Sequence, residues 1–151
     1  MDERTQRFIE KMGLLSEADG MPRIAGRVFA LLFITSEPMS LEEIATRLEV
    51  SRASVSTDAR RLAQMGLLER VSRPGDRRDF YRLAPDGIRH SLESRIRTMR
   101  RFHDLLDEAR QLETADPVVE RRLAEWDDAH RLLVDVYMDV VAKLGAVGGR
   151  K

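Results

Sequence analysis

The sequence contains no cysteine. Disulfides, thiolate metal sites and a cysteine nucleophile are therefore excluded, and the composition suits a reducing cytoplasm. Long apolar runs are missing too. The longest, Val28 to Ile34, is seven residues, far short of the roughly 20 needed to span a bilayer. The opening residues, MDERTQRFIEKMG, mix acids and bases and hold no apolar stretch of the signal-peptide kind. A soluble cytoplasmic protein without membrane contact is expected. There is no Gly-x-Ser-x-Gly, no glycine-rich phosphate loop and no His-Glu-x-x-His, and the carboxylates are scattered, so no enzyme is expected. The three histidines, His90, His103 and His130, are far apart, and only His103 and Asp107 fall four residues apart. Neither a metal nor a cofactor is expected.

Net charge is absent as well: 26 Lys and Arg balance 26 Asp and Glu. The balance hides a division. Residues 51–82 hold eight arginines against four acids, a net of +4, while residues 102–139 hold eleven acids against four arginines, a net of −7. A basic middle and an acidic later segment imply two surfaces with different jobs.

Phe8, Ile9, Met12 and Leu15 recur at helical spacing and predict a helix over residues 4–16. Ala18-Asp19-Gly20 breaks it, and Pro22 suits the first position of a second helix. That helix is nearly all apolar from Val28 to Ile34 and is expected in the core, with Gly26 permitting a close crossing. Ser40-Leu41-Glu42-Glu43 is a capping box. The helix after it puts Leu41, Ile44, Ala45 and Leu48 on one face. Ser51 then caps a helix that Gly66 ends. Two short helices joined by a turn of about three residues predict a helix-turn-helix.

After Gly66 the period changes. Leu67–Val71 and Asp79–Leu83 alternate by about two and flank Pro-Gly-Asp-Arg-Arg, which predicts a β-hairpin, a wing on the helix-turn-helix. Pro85 is expected to open a long helix with Ile88, Leu92, Ile96, Met99, Phe102 and Leu106 on its apolar face. A break at Thr114-Ala115 precedes a last helix, with Asp116 as N-cap and Pro117 at its first position. On it Val119, Leu123, Trp126, His130, Leu133, Tyr137, Val140 and Leu144 step alternately by four and three, a heptad seam. The helix is expected to reach about Leu144, and the tail GAVGGRK to fray. The fold class expected is mainly α, a winged helix-turn-helix with a small β-hairpin wing and long terminal helices.

At about 100° per residue, pointing Val55, Ala59 and Leu62 to the core turns Ala53, Thr57, Arg60 and Gln64 outward. Ser54, Ser56 and Arg61 flank that face, and Ser51 and Arg52 lie at its N-terminal edge. Small residues permit close approach to a major groove, and hydroxyls, amide and guanidinium can read base edges or phosphates. Arg77 and Arg78 are expected at the hairpin tip, where a long cation can enter the minor groove. Gly75 helps make the turn. Asp76 is expected to hold Arg77 or Arg78, or to close the turn. Arg73 and Arg82 are expected to suit backbone phosphates. Double-stranded DNA is the expected partner. The alternative is a winged helix used only for protein contact, with the acidic segment as its docking face. A docking helix would favour exposed aromatics or leucines, and residues 51–64 offer Ala, Ser, Thr, Arg and Gln there.

The stretch LEEIATRLEVSRASVSTDARRLAQMGLLERVSRPGDRRDFYRL resembles the winged helix-turn-helix of MarR-type regulators, and GMPRIAGRVFALLFITSEPMS before it is similar to the GbsR branch of that group. The resemblance covers residues 20–84. It implies a transcriptional regulator, as a rule a repressor, that binds a pseudo-palindromic operator as a homodimer. It also implies a recognition helix at Ser51–Gln64 and matches Asp76-Arg77-Arg78 to the family's wing-tip Asp-Arg pattern. Helices from both chain ends then form the dimer interface, here residues 1–19 with Phe8 and residues 85–151 with Leu123, Trp126, His130, Leu133, Tyr137 and Val140. The resemblance leaves room for a small-molecule effector. Some relatives in that branch sense a quaternary ammonium compound, which wants an aromatic cage. Trp126 and Tyr137, with Asp127 and Asp128 nearby, are the residues that could build one, though Trp126 also fits a dimer core.

Overall fold

The computed structural model describes residues 1–112 and 116–148. The expected break at Thr114-Ala115 and the end of the tail, residues 149–151, lie outside the described residues. The chain divides into two compact units, Met1–Ile88 and Arg89–Lys151.

The first unit opens with helix α1 (Glu3–Ala18), capped by the Asp2 carboxylate, which accepts from the backbone of Arg4 and Thr5. Helix α2 (Arg23–Phe33) packs against it. Pro22 is the N-cap of α2, one place earlier than expected, in extended-type backbone with ψ 135°. The crossing is close because two glycines face it. A Cβ on Gly26 would collide with the Ser16 Oγ and come within 2.6 Å of the Met12 carbonyl oxygen. Glu10 of α1 ties the pair further, meeting Arg23 at 2.9 Å and Arg27 at 2.8 Å. Val28, Ala30, Leu31 and Leu32 are buried as expected, but α2 ends at Phe33, so the end of the apolar run, Phe33 and Ile34, is exposed.

Strand β1 (Met39–Ser40) leads directly into helix α3 (Leu41–Leu48). The capping box is complete: Ser40 Oγ accepts from the Glu43 backbone, and the Glu43 carboxylate accepts from the Ser40 backbone. Glu49 ends α3 in left-handed backbone, φ 54°. Helix α4 (Arg52–Gln64) follows from Ser51, whose Oγ accepts from the Ser54 N–H. It closes at Gly66, φ 79°, where the Leu67 N–H reaches the Leu62 carbonyl and the Gly66 N–H reaches Ala63. That double bond is the Schellman arrangement that calls for glycine. Val55, Ala59 and Leu62 are buried against Ile9, Val28, Leu31, Ile44 and Leu48.

Strands β2 (Leu68–Arg73) and β3 (Asp76–Leu83) pair antiparallel, and β1 adds to the other side of β3, giving the order β1-β3-β2. Met39 opposes Tyr81 and Ser40 opposes Phe80. The two-residue β1 is too short to show alternation, so sequence reading missed it. The wing is therefore one edge of a three-stranded sheet. After it, Ala84–Asp86 form a turn closed by the Gly87 N–H on the Ala84 carbonyl. Helix α5 (Gly87–Arg110) starts there and not at Pro85, and Ile88 is exposed, contrary to the apolar face drawn for it.

The second unit holds most of α5 and helix α6 (Pro117–Gly148), which runs past the end expected near Leu144. Asp116 caps α6 through the Val118 N–H. Ile96 and Leu106 of α5 are buried, and Phe102 stacks on His130 at 4.4 Å and meets Trp126 at 6.0 Å. The buried Asp127 carboxylate of α6 gathers His103 at 2.5 Å, Arg110 at 2.9 Å and Arg131 at 3.1 Å. Arg110 first, then His103 and Arg131, hold that carboxyl down at about 2. The heptad seam is not one surface. Leu123, His130 and Tyr137 are half-buried, His130 against Phe102, whereas Trp126, Leu133 and Val140 are exposed. The reason is that α5 takes part of the seam inside the chain. Among the described residues no helix is long and apolar enough to cross a membrane.

Candidate nucleic-acid interface

Helix α4 presents Arg52, Ala53, Thr57, Arg60, Arg61 and Gln64 to solvent, with Ser54 and Ser56 half-buried beside them. Several of these side chains are already oriented by their own helix. The Ser51 and Ser54 hydroxyls lie 2.8 Å apart at the N-terminus. Thr57 donates its hydroxyl to the Ala53 carbonyl at 3.1 Å, so only lone pairs and its methyl are left facing out. Arg60 donates Nε to the Ser56 carbonyl at 3.1 Å, which fixes the stem and leaves the terminal nitrogens free. Arg52 is tied back to Glu42 of α3. Behind this face sits Asp58, whose buried carboxyl is raised by burial and only partly answered by Arg61 at 3.7 Å. Sequence reading passed over Asp58.

The wing differs from expectation in its turn. Arg73 pairs with Asp76, so the tip is Pro74-Gly75 alone. Gly75 has φ 80°, a positive value that a Pro-Gly turn demands of its second central residue. The chain is thus already extended at Asp76, and Arg77 and Arg78 stand in β3 rather than at the tip. Asp76 accepts the Arg78 backbone N–H at 2.9 Å and both Nε and Nη2 of its guanidinium, at 3.0 and 2.6 Å. That grip holds the Asp76 carboxyl at about 2. Arg78 also lies over the Phe80 ring, 5.1 Å from its centroid. Arg77 is exposed and has no hydrogen-bond or ion-pair partner among the described residues.

Arg73 and Arg82, expected on phosphates, are engaged within the protein. Arg73 donates to the Pro38 carbonyl at 2.8 Å and lies 4.3 Å over the Phe80 ring. Arg82 pairs with Glu69 on the neighbouring strand. Both sit on strands as expected, but their partners are set by the strand register and by Pro38 before β1, which the hairpin pattern alone does not give.

Between α4 and the wing runs a groove of about 380 Å³, lined by Ser56, Arg60, Ala63 and Gln64 on one side and Arg70, Asp79 and Tyr81 on the other. Arg70 and Asp79 form an ion pair at 2.5 Å. Sequence reading missed these last three residues. The Pro-Gly turn alone would set Arg70 opposite Asp79; a register shift between Val71 and Arg73 sets it opposite Tyr81, and no local sequence signal announces that shift. Among the described residues, no group of three or more metal-ligating side chains is placed to hold a metal.

Comparison with known proteins fits this geometry. The sequence model of the MarR family matches residues 19–79. The chain is 38% identical over 138 residues to the HTH-type transcriptional regulator MmpR5 of Mycobacterium tuberculosis, covering 90% of this chain and 84% of that protein. It is 27% identical over 86 residues to the HTH-type transcriptional repressor OpcR of Bacillus subtilis, covering 57% of this chain and 46% of that one. A crystal structure of a transcriptional regulator superposes with a TM-score of 0.87 at 36% identity, over 95% of this chain and 99% of the other. With its capped helix-turn-helix, its sheet-anchored wing and this likeness along its length, the chain belongs to the MarR family of transcriptional regulators.

Proposed function

We propose that this regulator binds a pseudo-palindromic operator as a homodimer and represses transcription from it. The observation that carries the reading is the free face of α4, small and polar at its start and basic further on, beside an unpartnered Arg77. Ala53 permits close approach to base edges. Thr57 offers lone pairs to an adenine or cytosine amino group and its methyl to thymine. The free terminal nitrogens of Arg60 suit guanine bidentately, and Gln64 suits adenine. Ser51, Arg52 and Ser54 meet a phosphate at the helix N-terminus, and Ser56 and Arg61 flank the backbone. Arg77 enters the adjoining minor groove. Arg78, Asp76 and Gly75 shape the wing that carries it.

Residues 20–84 form the DNA-binding part in this reading, and residues 1–19 and 85–151 the dimerisation part. The support on α6 is the exposed line Trp126, Leu133 and Val140, each seven residues from the next, with Leu123, His130 and Tyr137 beside it and Phe8 on α1. Half-sites then lie about one helical turn, or ~10 bp, apart. Repression is supported by the likeness to OpcR, itself a repressor by name. Assignment to the GbsR branch rests on the α2 segment. A small molecule seated among the dimerisation helices would act by favouring a spacing that does not fit the operator. The setting is the cytoplasm.

The test is selection and sequencing of the genomic fragments that the protein retains, followed by footprinting. Two protected half-sites about one turn apart are expected. Retention without sequence preference, or none at all, would sink the reading.

A further inference from the structure

The groove between α4 and the wing has one wall, Arg70, Asp79 and Tyr81, with no role in the contacts assigned so far. Its two walls belong to the two elements that meet DNA in the reading above, on which this inference rests. A sugar-phosphate strand running from the major groove under α4 to the minor groove under Arg77 has to pass between them. The alternation of β3 puts Arg77, Asp79 and Tyr81 on one strand face, so the line from wing arginine to groove is continuous. The groove carries Arg60 on one wall and Arg70 on the other, with a single carboxylate, Asp79. Asp79 holds Arg70 at 2.5 Å, yet the Arg70 side chain is 63% exposed. Arg70 therefore has a partner that solvent can replace, unlike Arg78, gripped by both oxygens of Asp76 and laid over a ring.

We infer that this groove is a seat for the DNA backbone in which Arg70 is the phosphate ligand and Asp79 is its competing counterion. In the free protein Asp79 keeps Arg70 on the wing wall of the groove. When a phosphate arrives, the guanidinium exchanges one anion for another. The exchange is nearly even in energy, since an exposed pair contributes little. Asp79 thus lowers affinity for every duplex and leaves discrimination to the bases under α4.

The experiment measures salt-dependent binding to a random-sequence duplex and to the duplex selected from genomic fragments. Arg70→Ala should weaken both and reduce the slope of log K against log salt by about 0.9, the value for one phosphate. Arg70→Lys should restore most of that slope. Asp79→Asn should tighten both duplexes by roughly two- to fivefold, and in the Arg70→Ala background it should have no effect. An unchanged slope in Arg70→Ala, or no tightening in Asp79→Asn, overturns the inference. Equal tightening in the Arg70→Ala background overturns the counterion role by showing direct repulsion. If the wild-type chain binds neither duplex, the DNA reading itself has failed. If it binds and Arg77→Ala still flattens the slope while Arg70→Ala does not, only the groove has failed.

Discussion

Asp76 holds the guanidinium of Arg78 through both carboxylate oxygens, and the neighbouring Arg77 side chain is left without a partner among the described residues. Two adjacent arginines of identical chemistry thereby acquire different work. One is internal counter-charge and ring cover. The other is a free cation on an exposed strand face.

Arg77→Ala should accordingly weaken binding to all duplexes and flatten the salt slope by about 0.9. Arg78→Ala should change the slope far less, because its charge is already answered by Asp76. Salt titrations of the two variants side by side check this. Equal slopes for the two would contradict it.

Gly26→Ala should destabilise the first unit by about 1–3 kcal/mol, the usual cost of forcing extra volume into a tight contact. The added methyl meets the Met12 backbone oxygen at 2.6 Å, which cannot rotate away as a side chain can. Urea unfolding measures the loss. A midpoint equal to wild type would mean that α1 and α2 are not packed as described.

Asp127 should make the second unit acid-sensitive. Its folded-state carboxyl lies at about 2, below the ordinary 3.8. Its contribution is therefore present above 3.8 and is lost as pH falls toward 2. Asp127→Asn should remove that part of the pH dependence while lowering stability at neutral pH. Helicity followed by circular dichroism from pH 5 to about 2 reads both effects. An acid transition unchanged in the variant would show that Arg110, His103 and Arg131 do not act through this carboxylate.

Leu133→Glu should convert a dimer to monomer at micromolar concentration. It puts a charge in the middle of the exposed Trp126–Leu133–Val140 line, where burial against a second copy would be costly. Light scattering with a helicity control decides. A dimer that survives the substitution moves the interface elsewhere.

Much of this architecture could be read from the sequence because local rules agreed with one another. The capping box at Ser40 and Glu43, the Ser51 cap and the Gly66 stop are each determined within a few residues. So are the buried Val55, Ala59 and Leu62, whose helical spacing leaves one inner face. What escaped depends on partners distant in sequence. β1 exists only because Met39 and Ser40 meet Tyr81 and Phe80. Arg73 and Arg82 resemble phosphate ligands until Pro38, Phe80 and Glu69 come beside them. The α6 seam looked uniform because a single-helix pattern cannot say which residues α5 covers. The choice between Arg77 and Arg78 needed the turn register, which one residue of loop length decides.

Ser40 ends a strand hydrogen-bonded into the wing and also caps the helix that leads to α4. Arg73 adds a second tie from the wing to Pro38, just before that strand. The wing and the helix-turn-helix are therefore mounted on the same short piece of backbone. If Thr57 and Arg77 are the DNA contacts proposed above, the span between them is a caliper set by that backbone. An operator bound in that way would have to match its width in groove geometry as well as in letters.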